Sequence, residues 1–140
     1  MSYDAIVIGA GSGGLTVAIG LAGFGRRVAL IESATVGGDC TNTGCIPSKR
    51  LLHLAADHTG APGGGATLSD VRALRDAVAL HDATLITQTD GIDLLHGRAR
   101  LTSRSTVTVA SDGAETTLTG RHIVIATGSE VYLALEAAQS

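Results

Sequence analysis

The chain has 140 residues, of which 44% are hydrophobic and 16% charged, with a formal net charge of −3. That length supports one domain with a modest core, and the composition excludes a disordered polymer. The acidic balance, with three aromatic residues in all (Tyr3, Phe24 and Tyr132), argues against a nucleic-acid or anionic-lipid partner, because neither phosphate neutralisation nor base stacking is provided for.

No apolar run approaches the roughly 20 residues of a membrane helix, so no membrane association is expected. The first residues, Met1-Ser-Tyr-Asp, lack the basic, apolar and small-residue series of a signal peptide. The expected location is therefore cytoplasmic and reducing, where a close cysteine pair serves redox or metal chemistry more often than static cross-linking.

Ala5-Ile6-Val7-Ile8 is a continuous apolar run, the pattern of a strand buried on both faces. It leads into Gly9-Ala10-Gly11-Ser12-Gly13-Gly14, then a helix from Leu15 that ends at Gly23 to Gly25. A second apolar strand, Val28 to Ile31, stops at Glu32. The spacing Gly9, Gly11, Gly14 is the G-x-G-x-x-G arrangement of dinucleotide sites. The first glycine allows the tight turn, the second lets a pyrophosphate approach the backbone, and the third lets helix and strand pack closely. The helix N-terminus then holds phosphate, and Glu32 can accept bonds from ribose hydroxyls. A bare structural turn is the competing reading, and the motif does not separate FAD from NAD.

Residues 37 to 49, GGDCTNTGCIPSK, contain both cysteines, Cys40 and Cys45, and the only lysine, Lys49. A zinc site would need two more ligands. His53, His58, His81, His96 and His122 supply no second tight pair, so no metal is expected. A redox dithiol explains more of the neighbours. Gly37 and Gly38 let backbone approach a ligand, and Gly44 relaxes the bend between the thiols. Pro47 opens a helix, which places Cys45 near a helix N-terminus where thiolate is favoured.

Residues 59–67 are a loop by composition, and 68–89 have broadly helical apolar spacing. From Ile92 the pattern shifts to strands, over 92–101, 106–110 and 116–119, with turns at Ser103-Arg104 and Asp112-Gly113. A last apolar strand, Ile123 to Ile125, runs into Ala126-Thr127-Gly128-Ser129.

Three of these segments resemble, in order, the signatures of the pyridine nucleotide-disulfide oxidoreductases, the flavoprotein group of lipoamide dehydrogenase, glutathione reductase and mercuric reductase. They are Ile8 to Gly14 with Glu32, the cysteine stretch, and Ile123 to Ser129. The resemblance implies an α/β, Rossmann-like FAD-binding domain with a parallel sheet, helices and a β-meander, present here as an incomplete form. It implies that Cys45 is the charge-transfer thiol facing the flavin and Cys40 the interchange thiol that meets substrate. Lys49 is then the cation beside the reactive flavin nitrogen.

It further implies FAD contacts from Gly9, Gly11, Ser12, Gly13, Gly14, Glu32, Ser33, Gly38, Asp39, Ala99, Ala126, Thr127, Gly128 and Ser129. Many members of the family carry threonine where this chain has Asp39. On this reading residues 1–129 are the FAD-binding domain and 130–140 a helix-prone tail. The NAD(P)-binding and dimer-interface domains of full members are not in this sequence. The whole protein is expected to use NAD(P)H, to act on a small-molecule or protein disulfide or on mercuric ion, and to be a homodimer. The 140 residues alone are expected to lack turnover. A non-catalytic FAD or adenine-nucleotide binding module and a flavin-free dithiol protein are the alternatives.

Overall fold

The computed structural model describes residues 2–57 and 64–129. The chain begins with strand β1 (Ser2–Ile8), helix α1 (Ser12–Gly23) and strand β2 (Val28–Glu32), followed by a short helix α2 (Gly38–Asn42) and helices α3 (Cys45–Asp57) and α4 (Gly64–Thr87). Strands β3 (Ile92–His96), β4 (Arg98–Leu101), β5 (Thr106–Ser111) and β6 (Ala114–Ile125) complete it.

The strand order is β3-β2-β1-β6-β5-β4. β1 pairs in parallel with β2 and with the second half of β6, and β2 pairs in parallel with β3. β4, β5 and the first half of β6 form the antiparallel meander. The expected combination of parallel sheet, helices and meander is borne out.

Why Ala5–Ile8 of β1 and Val28–Ile31 of β2 are apolar throughout follows from the two cores. Val7, Val28 and Leu30 pack with Ala18 of α1, Ile86 of α4 and Ile92 of β3. Their neighbours Ile6, Ala29 and Ile31 point the other way, onto Val107, Val109 and Leu118 of the meander. The alternation of a strand thus feeds two layers, and neither face has room for a polar side chain. Leu30, Ile31 and Ile6 are fully buried, each stabilising the fold by about 1.5–3 kcal/mol.

Four boundaries differ from the sequence expectation. The run over 92–101 is two strands, because Gly97 takes a φ of +154° and its missing Cβ leaves room for the Ala110 carbonyl. Apolar spacing continues across that break, so periodicity does not reveal it. Conversely, 116–119 and 123–125 are halves of one strand, β6. α3 starts at Cys45, with Pro47 inside its first turn. The first helical bond there is Ser48 N–H to the Gly44 carbonyl (3.1 Å), so the N–H that proline lacks has no intrahelical partner to lose. Finally, α4 begins at Gly64, so the loop expected through 67 gives way to helical backbone over 64–67. Glycine composition suggested a break, but tertiary packing of a long amphipathic helix outweighs a weak local preference. The remainder of that loop and the tail at 130–140 lie outside the described residues. Among those described, no helix is long and apolar enough to cross a membrane.

Candidate functional site

The carboxyl ends of β1, β2 and β6 open onto one end of the sheet, and glycine backbones meet there. Gly9 has a φ of +102°, and a Cβ on it would lie 2.3 Å from the Ala126 carbonyl oxygen. Gly11 and Gly37 pair as an isolated parallel bridge, supported by Gly37 N–H to the Ala10 carbonyl at 2.8 Å. A Cβ on Gly38 would sit 2.7 Å from Gly11 Cα. Segments 9–14, 37–38 and 126–128 of the expected site are therefore brought together. Asp39 reaches the same place, its Oδ2 lying 4.0 Å from where a Cβ on Gly128 would be.

The N-terminus of α1 is arranged for an anion. Gly11 is its N-cap, no side chain caps it, and no acidic residue lies in its first turn. The first helical bond is Leu15 N–H to the Gly11 carbonyl (2.9 Å), which leaves the amides of Ser12, Gly13 and Gly14 without intrahelical acceptors. Nothing approaches within 4 Å of a Cβ built on Gly13, so this turn faces open space. Free amides, the positive helix end and a flush glycine surface are the requirements for holding a pyrophosphate.

Glu32 stands at the end of β2 in a fixed pose. Its Oε2 accepts from Ala10 N–H at 2.7 Å and its Oε1 from Ala34 N–H at 2.8 Å. Each carboxylate oxygen keeps lone-pair capacity for a ribose hydroxyl. Ser33 is exposed beside it. The Glu32 carbonyl accepts from Gly97 N–H at 2.8 Å, which brings the start of β4 to this edge. Ala99 is half-buried on β4, packed against the meander-side core, and lines a groove of about 240 Å³ with Arg98, Arg100 and Thr108. Thr127, Gly128 and Ser129 are exposed just beyond β6, where Ala126 N–H bonds the Ile8 carbonyl at 2.8 Å.

Cys40 lies in α2 and Cys45 opens α3; both are free thiols, Cys45 exposed and Cys40 partly so. A hydrogen bond from the Cys40 thiol to Cys45 holds its proton and raises its pKa above the ordinary cysteine value. Desolvation and repulsion by a Cys45 charge add to this, while the Cys45 backbone N–H and the Lys49 charge act in the opposite sense. The two sulfurs and Lys49 thus form one electrostatic unit. Because thiolate is the nucleophile, Cys40 should alkylate more slowly than a free thiol at pH 8. Cys45→Ala removes the largest cause, so the pH–rate profile of Cys40 with iodoacetamide should move to lower pH. An unmoved profile would mean that Cys45 does not control that proton.

Two residues of this region were not singled out by the sequence. Thr41 is buried, and its Cβ is 2.6 Å from where Gly37 would carry one. Asn42 donates its side-chain N–H groups to backbone carbonyls of residues 35, 36 and 38. The available signal was the asparagine itself, a short amide that characteristically bonds nearby backbone. Among the described residues no cluster of His, Cys, Asp or Glu could hold a metal ion.

Comparison with known proteins agrees with this geometry. Residues 3–138 match the family model described as pyridine nucleotide-disulphide oxidoreductase. Dihydrolipoyl dehydrogenase 3 of Pseudomonas aeruginosa is 41% identical over 92% of this chain and 31% of its own length. Mercuric reductase of Streptomyces lividans is 34% identical over 91% of this chain and 30% of its own. The solved Cu(II) complex of the HOCl-induced flavoprotein disulfide reductase RclA from Escherichia coli superposes with a TM-score of 0.89 at 30% identity. That match covers 96% of this chain and 30% of the other. The chain spans about 30% of the length of these relatives.

Proposed function

Because the chain belongs to the pyridine nucleotide-disulphide oxidoreductase family, we propose that it is the FAD-binding portion of an NAD(P)H-dependent disulfide oxidoreductase. The observation that carries this reading is the meeting, at one end of the sheet, of the uncapped α1 amides and the glycine turn that leads into the cysteine helix. A pyrophosphate fits the first, and a redox dithiol fits the second.

FAD, when bound, supplies two-electron chemistry between NAD(P)H and the cysteine pair. The chain's own residues bind and orient it. The amides of Ser12 to Gly14 hold the pyrophosphate, with backbone from Gly38, Asp39 and Thr127 to Ser129 around it. Glu32 takes the ribose hydroxyls, beside Ser33, and Ala99 lies toward the adenine. With FAD bound, Lys49 would place a positive charge near the ring, and Cys45 would face it. Cys40 works outward. Its thiolate attacks the substrate disulfide and forms a mixed disulfide, releasing one substrate thiol. Cys45 then attacks the Cys40 sulfur, which releases the second thiol and closes the Cys40–Cys45 bond. The substrate class is a small-molecule or protein disulfide, or mercuric ion, acted on by a dimeric protein in a reducing cytoplasm.

The test is the visible spectrum of the purified chain after incubation with FAD and gel filtration. Retained flavin absorbance is expected, and a colourless protein would overturn the reading. Within it, Glu32→Ala should weaken FAD binding by about 1–3 kcal/mol, because ribose hydroxyls lose their acceptor and the Ala10 amide loses its own. Equal affinity in a fluorescence titration would remove Glu32 from the ribose site.

A further inference from the structure

Asn42 has no part in the chemistry above, yet it spans two pieces of it. Its Nδ2 lies 2.9 Å from the Gly38 carbonyl oxygen, 3.4 Å from that of Val36 and 3.5 Å from that of Thr35. An amide nitrogen carries two hydrogens. One serves Gly38 and the other is shared between Val36 and Thr35. The Gly38 carbonyl belongs to the first residue of α2, which abuts Gly11 Cα, while those of Val36 and Thr35 belong to the turn before it, whose Gly37 pairs with Gly11.

On its other side, Asn42 is the last residue of α2, the five-residue helix that carries Cys40. One turn of helix has too few internal bonds to hold its own position. α2 is placed by side chains instead. Thr41 fills the space beside Gly37, and Asn42 grips the turn by its carbonyls. The connection from cysteine to glycine seat therefore runs through a single short segment.

We propose that Asn42 is a positioning residue that clamps the Thr35–Gly37 turn to the Cys40 helix, so that the glycine seat and the cysteine pair shift together. This rests on the reading of that seat as the FAD pyrophosphate site. The dithiol–disulfide pair is the two-state element. Opening its S–S bond takes up two electrons and two protons, delivered by two glutathione thiols that leave as glutathione disulfide. If α2 moves in that step, the turn moves with it, and FAD affinity depends on the state of the cysteines. By linkage, FAD biases the disulfide equilibrium by the same factor.

The experiment measures FAD affinity of the chain by fluorescence titration, once as the disulfide and once as the dithiol poised with reduced glutathione. The wild-type affinities should differ by about fivefold or more, the low end of ordinary site-to-site coupling. Asn42→Asp keeps the shape but has no donor, and Asn42→Ala removes the group without adding charge. In both, the ratio should fall toward one, while a merely structural loss would weaken both states alike and leave the ratio standing. A wild-type ratio retained in either folded variant overturns the proposal. Equal wild-type affinities overturn it with no variant needed, and leave the FAD reading intact. No FAD binding in either state sinks the FAD reading, and the proposal with it.

Discussion

Gly14→Ala should destabilise the fold by about 3 kcal/mol, the upper end of ordinary overpacking. The added Cβ would lie 1.8 Å from the Gly9 carbonyl oxygen and 3.4 Å from Val7 Cγ1. The first of these obstacles is backbone, which cannot swing aside, so α1 would have to lift from β1. Alanine's helix preference returns up to about 1 kcal/mol and does not offset the clash. Gly13→Ala supplies the contrast. It meets nothing within 4 Å, so the helix preference acts alone and stability should rise by up to about 1 kcal/mol. Urea denaturation of the three proteins measures both differences. Equal midpoints for Gly14→Ala and the parent would refute the close helix–strand contact.

The second large effect separates the two cysteines. With FAD bound, Cys40→Ser leaves Cys45 as the lone thiol toward the flavin, and a long-wavelength charge-transfer band should appear as pH rises. Cys45→Ser should show no such band at any pH. The difference is all or none, because orbital overlap with the ring requires contact and Cys40 points to substrate in the proposed arrangement. A band from Cys45→Ser and none from Cys40→Ser would reverse the roles assigned to the pair.

The α/β layering was legible because Ala5–Ile8 of β1 and Val28–Ile31 of β2 are unbroken apolar runs, the pattern of strands covered on both sides. Gly9, Gly11, Gly14 and Glu32 were legible because each residue type answers a distinct steric or hydrogen-bonding demand at a fixed spacing. Gly97 was not, since it lies inside an unbroken apolar pattern and its role is set by Ala110, a residue distant in sequence. α2 was hidden for another reason. Five residues cannot show a helical period, and the helix is held by Asn42 and Thr41 contacts to the turn before it. What the sequence displayed was local demand. What it concealed was mutual support between segments.

β6 carries a consequence for how the molecule is made. β1 is synthesised well before β6, yet its register with that strand runs from Ser2 opposite Thr119 to Ile8 opposite Ile125. Closing a loop of roughly 100 residues costs about 4 kcal/mol of chain entropy before any pairing repays it. A ribosome-bound chain therefore leaves one edge of β1 open until β6 emerges. That edge presents unpaired backbone groups along the apolar run Ala5–Ile8, the kind that captures other strands. Such long-range pairing makes for slow assembly, and that edge stays open at least until Ile125 has cleared the exit tunnel.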